Sequence, residues 1–175
     1  MRRLLLLRHA KSDWSEPGAD DHERRLNRRG REAAPRIGAY LHRHRLIPDS
    51  VLCSTARRTR ETWDLVAAEL PSAPPATYVE RLYEATPRTI LDLLREAEPG
   101  GKSLLVVGHN PGLHDLATLL VASGDLDDRE RLREKLPTGG LVVIDFAIGH
   151  WSKLHPRSGR LDRFVAPRTL AAATD

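Results

Sequence analysis

Four leucines, Leu4 to Leu7, end abruptly in Arg8 and His9. An unbroken aliphatic run this short, closed by polar residues, reads as a strand buried on both faces of a sheet. Such a strand needs helices on either side to cover it. Its carboxyl end also delivers a cation and an imidazole to the edge where open α/β sheets bind ligands. The pattern recurs: Ser103 to Val107 is a second apolar run, and it closes with Gly108-His109-Asn110-Pro111. Either histidine alone is compatible with a solvated loop. Two strands ending alike point to one shared site.

Between these runs the chain alternates. Asn27 can cap a helix through about residue 43, with Ala33, Ala34, Ile37, Tyr40 and Leu41 at helical spacing. Pro35 inside it implies a late start near Gly30 or a kink. Residues 49–54 read as a short strand, 57–70 as a helix stopped by Pro71, Pro74 and Pro75, and 77–82 as a third strand. Thr86-Pro87 opens another helix. A helix after Pro111 carries Leu113, Leu116, Ala117, Leu120 and Val121, and residues 125–136 suit a short exposed helix. Residues 141–146 form a strand, 151–155 and 161–165 short antiparallel edge strands, and the segment from Ala166 a loose tail. Strands alternating with helices imply an α/β fold of three layers, a mostly parallel sheet flanked by helices. The 175 residues are expected to form one domain.

Charge needs a separate reading. Arginine supplies 24 of the 28 basic residues, and the net charge is +4. Arginine grips phosphate in bidentate fashion. A nucleic-acid surface would cluster its charges and interleave aromatics; these arginines are scattered among acids, as in Asp127-Asp128-Arg129-Glu130-Arg131. No nucleic-acid partner is expected. The single cysteine, Cys53, excludes an internal disulfide and reads as core. Four leucines after Arg2-Arg3 are too few for a signal-peptide core, and no stretch could span a membrane, so the expected location is the cytoplasm. His9 and His109 lack partners at zinc spacing, and neither metal nor cofactor is expected.

Three strand ends thus offer anion-friendly groups: Arg8-His9, the segment Ser54 to Arg60 at a helix opening, and Gly108-His109-Asn110. Helix N-termini add to the attraction for anions. Arginines spread over a phosphoryl group, with one imidazole attacking and the other stabilising, would form a phosphoryl-transfer site.

These residues resemble a known family. Arg8-His9-Ala10-Lys11-Ser12-Asp13-Trp14 is similar to the Arg-His-Gly signature of the histidine phosphatase (phosphoglycerate mutase-like) superfamily. Ser54-Thr55-Ala56-Arg57-Arg58-Thr59-Arg60-Glu61-Thr62 resembles its Ser-Pro-x-x-Arg-Ala-x-x-Thr block, Gly108-His109 its Gly-His block, and Leu26-Asn27-Arg28-Arg29-Gly30 its Leu-Thr-x-x-Gly segment. Four blocks in order, on a short chain, look most like the SixA branch, which removes phosphate from phosphohistidine in proteins. The resemblance implies a phosphoglycerate mutase-like fold. It also implies His9 as nucleophile, Arg8 and Arg58 as phosphate-binding arginines, His109 as the second pocket histidine, and Ser12 and Asn110 beside the phosphate. Arg57 and Arg60 compete with Arg58. Leu82-Tyr83-Glu84 matches the Leu-x-Glu context of the general acid in larger members, making Glu84 the candidate acid.

Three departures stand out. Ala10 replaces the signature glycine, which keeps the turn only if the backbone there is not left-handed. Thr55 and Thr59 replace Pro and Ala. Ser15 stands where mutases often have Asn. The implied partner is a phosphorylated substrate, a phosphohistidine-bearing protein first; a small phosphomonoester is the alternative, and a non-catalytic phosphate-binding module the rival from another class.

Overall fold

Strand β1 (Arg2–Arg8) lies in the middle of a seven-stranded sheet whose strand order is β3-β2-β4-β1-β6-β7-β5. It pairs in parallel with β4 (Ser103–Gly108) and antiparallel with β6 (Leu141–Phe146). Strands β2 (Ser50–Ser54) and β3 (Ala76–Val79) extend the parallel side; β7 (Gly159–Val165) and β5 (Val121–Gly124) complete the other. This computed structural model describes residues 1–16, 18, 20–97 and 101–173.

Leu4, Leu5, Leu6 and Leu7 are each fully buried. The two-residue period of a strand sends them to opposite faces. Leu4 and Leu6 join the cluster under α3 (Pro87–Arg95) and α4 (Gly112–Leu120). Leu5 and Leu7 join the cluster under α1 (Arg28–Arg43) and α2 (Arg57–Ala67). Each buried leucine contributes roughly 1.5–3 kcal/mol. The expected three layers are therefore present, and the sheet is mostly parallel.

The caps fall where the sequence placed them. Asn27 Oδ1 accepts from Gly30 N at 2.9 Å, and Thr86 Oγ1 from Thr89 N at 3.1 Å. Helix α1 starts at Arg28 and runs through Pro35 rather than starting late. Pro35 lies between exposed Arg31 and Arg36, where water can satisfy the bond it cannot make.

Several expectations are corrected. Strand β3 stops at Val79 and a 3₁₀ turn covers Glu80–Leu82. Helix α4 ends at Leu120, and Val121 opens β5, which pairs in parallel with β7 and takes the edge position. Strand β7 is thus an inner strand. Residues 151–155 form no strand: a 3₁₀ turn at Trp151–Lys153 buries the Trp151 indole in the core. The charged segment forms α5 (Leu126–Glu134), anchored by buried Leu132. The tail is not loose through its length, because Pro167–Ala173 forms α6 and Leu170 packs on the core. Gly100 and residues 174–175 lie outside the described residues. Among the described residues, no helix is long and apolar enough to cross a membrane.

Register places the site. Leu7 pairs with Val107, and Cys53 pairs with the same Val107. Strands β1, β2 and β4 therefore end level with one another, and Arg8-His9, Ser54 and Gly108-His109 leave the sheet side by side.

Candidate active site

His9 is held by its own turn. Its Nδ1 lies 2.7 Å from the Ala10 carbonyl, so Nδ1 carries the proton and donates, leaving Nε2 with a bare lone pair. Ala10 is fully buried, and its φ is not positive, so the turn needs no glycine. Ala10 N donates to Thr62 Oγ1 at 3.0 Å, and Thr62 Oγ1 donates to Arg58 O at 2.7 Å. One threonine on α2 thereby ties the histidine turn to the Arg58 backbone. Gly139 N closes the other side by donating to His9 O at 2.9 Å. Gly30 packs on the same turn: a Cβ there would run into the backbone of Lys11, which explains the spacing of the Leu26–Gly30 segment.

The His9 and His109 rings stand 5.4 Å apart. His109 Nε2 is 2.8 Å from Ser54 Oγ, and its buried Nδ1 has no partner. Burial, followed by the charges of neighbours, holds both imidazoles far below the usual histidine range, each at about 3. For His9 the neighbours are His109, Arg58 and Arg8; for His109, Arg58 leads. Both rings are neutral at physiological pH.

These rings border a cavity of about 290 Å³ lined by Arg8, Lys11, Ser12, Trp14, Arg24, Arg58, Asn110 and Thr138 as well. Among the described residues the lining holds four cations and no carboxylate. Arg8 Nη1 donates to Leu136 O at 3.1 Å, and Asn110 Nδ2 donates to the same carbonyl at 2.9 Å. Burial and the Arg58 charge lower the Arg8 pKa. Arg8, Arg24 and Arg58 each keep a buried Nε without a partner, and the Asn110 Oδ1 is also unpaired. Buried donors without acceptors are costly. Four cationic side chains lining one cavity, with no carboxylate among the lining residues described, mark a place for an anion.

The structure brings together His9, Arg8, Arg58, His109, Ser12 and Asn110. Of the three competing arginines on α2, Arg58 faces the cavity. Arg57 pairs with Glu61, and Arg60 donates to Thr55 O. Glu84 is not brought in: it is exposed, at φ 55°, and is absent from the lining. Its neighbour Tyr83 does not line the cavity either, but packs behind His109 with its ring 5.5 Å away.

Arg24, Lys11, Trp14 and Thr138 escaped the sequence reading. Arg24 reaches the cavity because an antiparallel bridge pairs Ser12 with Leu26. Its Nη1 donates to Ser12 Oγ, and its guanidinium stacks 3.5 Å from the centre of the exposed Trp14 ring. Its position two residues before Leu26 was the available signal.

A neutral imidazole with a free Nε2, in a cavity lined by three guanidiniums at the carboxyl edge of an α/β sheet, suits capture of and attack on a phosphoryl group. Residues 4–87 match the histidine phosphatase superfamily (branch 1). The chain is 39% identical over 164 residues to Rv1276c of Mycobacterium tuberculosis, described as uncharacterized, covering 93% of this chain and all of that one. It is 32% identical to the structure of a proposed phosphohistidine phosphatase SixA from Agrobacterium tumefaciens, with a TM-score of 0.78 over 95% of this chain and 98% of that one. A similarly described SixA from Nakamurella multipartitia gives 29% identity and a TM-score of 0.81 over 95% and 96% of the two chains. The chain belongs to the histidine phosphatase superfamily, and phosphatase chemistry is the activity that this membership supports.

Proposed function

We propose that this chain is a phosphatase that works through a phosphohistidine at His9 without a metal, and that its substrate is phosphohistidine carried by a protein. The observation that carries the reading is the set of cations lining one cavity, Arg8, Lys11, Arg24 and Arg58, around a neutral His9 whose tautomer leaves Nε2 free. Arg8, Arg58 and Arg24 bind the equatorial oxygens and supply the charge stabilisation that Mg²⁺ gives in other phosphoryl-transfer sites. His109, held by Ser54, places its ring on the wall of the same cavity. His9 Nε2 attacks phosphorus in line; the bond from phosphorus to the leaving group breaks, and the leaving group departs with its electron pair. Water then attacks phosphorus, the P–Nε2 bond breaks, and inorganic phosphate leaves.

The leaving group separates the substrate classes. An alkoxide needs a proton from a nearby acid. Among the described residues the lining contains no carboxylate, and the one carboxylate bonded to lining arginines, Asp21, is held ionised with its pKa near 2. No role as acid is assigned to Glu84. A phosphorylated imidazole leaves readily with a proton taken from water, so this site favours phosphoramidate over alkyl ester. Cavity size agrees: about 290 Å³ is at the small end for ligand pockets. It seats a phosphoryl group and the ring that bears it, and leaves the carrier outside. The two SixA neighbours are described as proposed phosphohistidine phosphatases, which supports the same substrate.

The test is phosphate release from a phosphohistidine-bearing protein, an aryl phosphate and glycerol phosphate, in EDTA, beside His9→Ala. EDTA-resistant release that needs His9 and is fastest on phosphohistidine is the expected result. Faster release from glycerol phosphate would make the chain a small-molecule phosphomonoesterase. Phosphate binding without any release would make it a binding module.

A further inference from the structure

We propose that Asp21 is a positioning residue: it grips Arg58 and Arg24 from outside the cavity and fixes the spacing of the two guanidiniums that receive the phosphoryl group. The inference rests on the phosphatase reading above and extends it to a residue that does not touch the substrate.

Asp21 reaches both arginines at once. Arg58 Nη1 donates to the Asp21 backbone carbonyl at 2.8 Å, and Arg58 Nη2 to its Oδ2 at 3.2 Å. Arg24 Nη2 donates to Oδ1 at 3.2 Å. The Tyr83 hydroxyl donates to Oδ2 as well. Both arginines line the cavity, whereas Asp21 does not. The carboxylate therefore holds the Nη ends and leaves each buried Nε unpaired.

Physical need and geometry agree. The side chains of Arg58 and Arg24 are only 7% and 11% exposed, so water screens their mutual repulsion poorly. A carboxylate between them offsets that repulsion and, through two separate oxygens, sets where each fork lies. The Tyr83 bond, with Arg58 and Arg24 behind it, keeps this carboxyl at about 2, so it stays charged across the working pH range. Tyr83 is itself wedged edge-on against His22 and His109, at ring separations of 4.9 and 5.5 Å, which fixes its hydroxyl. Asp20 fixes the backbone of Asp21 by accepting from His22 N at 3.2 Å. A spacing error of about 1 Å in a transition-state clamp costs heavily in rate.

The experiment compares wild type with Asp21→Asn and Tyr83→Phe. Four quantities are read: kcat on the preferred substrate, affinity for inorganic phosphate, stability to urea, and the ¹⁵N–¹H signals of the Arg58 and Arg24 side chains, assigned with Arg58→Lys and Arg24→Lys. In wild type the Nη signals of both arginines are resolved, because their rotation is blocked. In Asp21→Asn they collapse to averaged signals, kcat falls about tenfold or more, and phosphate affinity stays within about threefold, since the lost grip is offset by one fewer negative charge facing the anion. Tyr83→Phe falls between. Resolved Nη signals in Asp21→Asn, or kcat within about twofold of wild type, would overturn the proposal. So would parallel losses of kcat, phosphate affinity and urea stability, which mark a merely structural tie. If wild type shows no turnover, the phosphatase reading falls, and the arginine signals judge Asp21 alone.

Discussion

Lowering the pH from 7 to 5 should destabilise this protein steeply, through two buried imidazoles. His9 and His109 sit near 3 in the folded chain and return to the ordinary histidine value of 6.5 on unfolding. Below pH 6.5 the unfolded chain therefore binds protons that the folded chain refuses. Stability falls as pH drops from 6.5 toward 3, and it is fully present only above 6.5. At pH 5 each histidine lies about 1.5 units below its unfolded pKa, which costs about 2 kcal/mol per ring and about 4 kcal/mol for the pair. That is a large share of the roughly 5–15 kcal/mol typical of a domain. The window is clean. Asp21, held near 2 against an ordinary 3.8, loses its contribution only as pH falls below 3.8. Urea unfolding at pH 7, 6 and 5 in phosphate-free buffer measures the slope. The double variant His9→Asn with His109→Asn should flatten most of it. Equal slopes in wild type and double variant would refute the argument, and so would an imidazole titration midpoint above about 5 by ¹⁵N NMR.

Other expectations follow from single contacts. Arg58→Ala should lower kcat by at least about two orders of magnitude, as loss of a transition-state donor does, while Arg57→Ala stays within a few-fold in the same phosphatase assay. Thr62→Val strands the Ala10 N–H and should cost about 1–3 kcal/mol in urea unfolding, with a drop in kcat as the His9 turn loosens. Gly30→Ala drives a methyl group into the Lys11 backbone, so a loss of about 1–3 kcal/mol is expected, readable as a lower Tm.

Much of this architecture follows from local chemistry. Unbroken apolar runs must be covered on both faces, so Leu4–Leu7 and Leu104–Val107 read as inner strands. The residues that end them, His9 and His109, had to emerge at the sheet edge. Asn27 and Thr86-Pro87 mark helix starts because a cap satisfies backbone donors within a few residues of itself. Segments with two local solutions were less legible. Val121 fits a helix face or an edge strand, and the open edge of β7 decided it. Trp151 fits a strand or a buried anchor, and the core decided it.

The site divides along the same line. Sequence alone determined which strand ends carry histidine and that an arginine near Ser54 would join them. Tertiary structure decided which arginines line the cavity. Charge has no direction in a sequence, and 24 arginines look alike there. The phase of α2 turns Arg58 and Thr62 inward and leaves Arg57 and Glu61 to pair on the outer side. The bridge between Ser12 and Leu26 folds Arg24 over the cavity, and the segment after β3 packs Tyr83 behind His109 and leaves Glu84 exposed. A strand fixes the direction of its own side chains within two residues, whereas a loop's direction is fixed only by what it lands on.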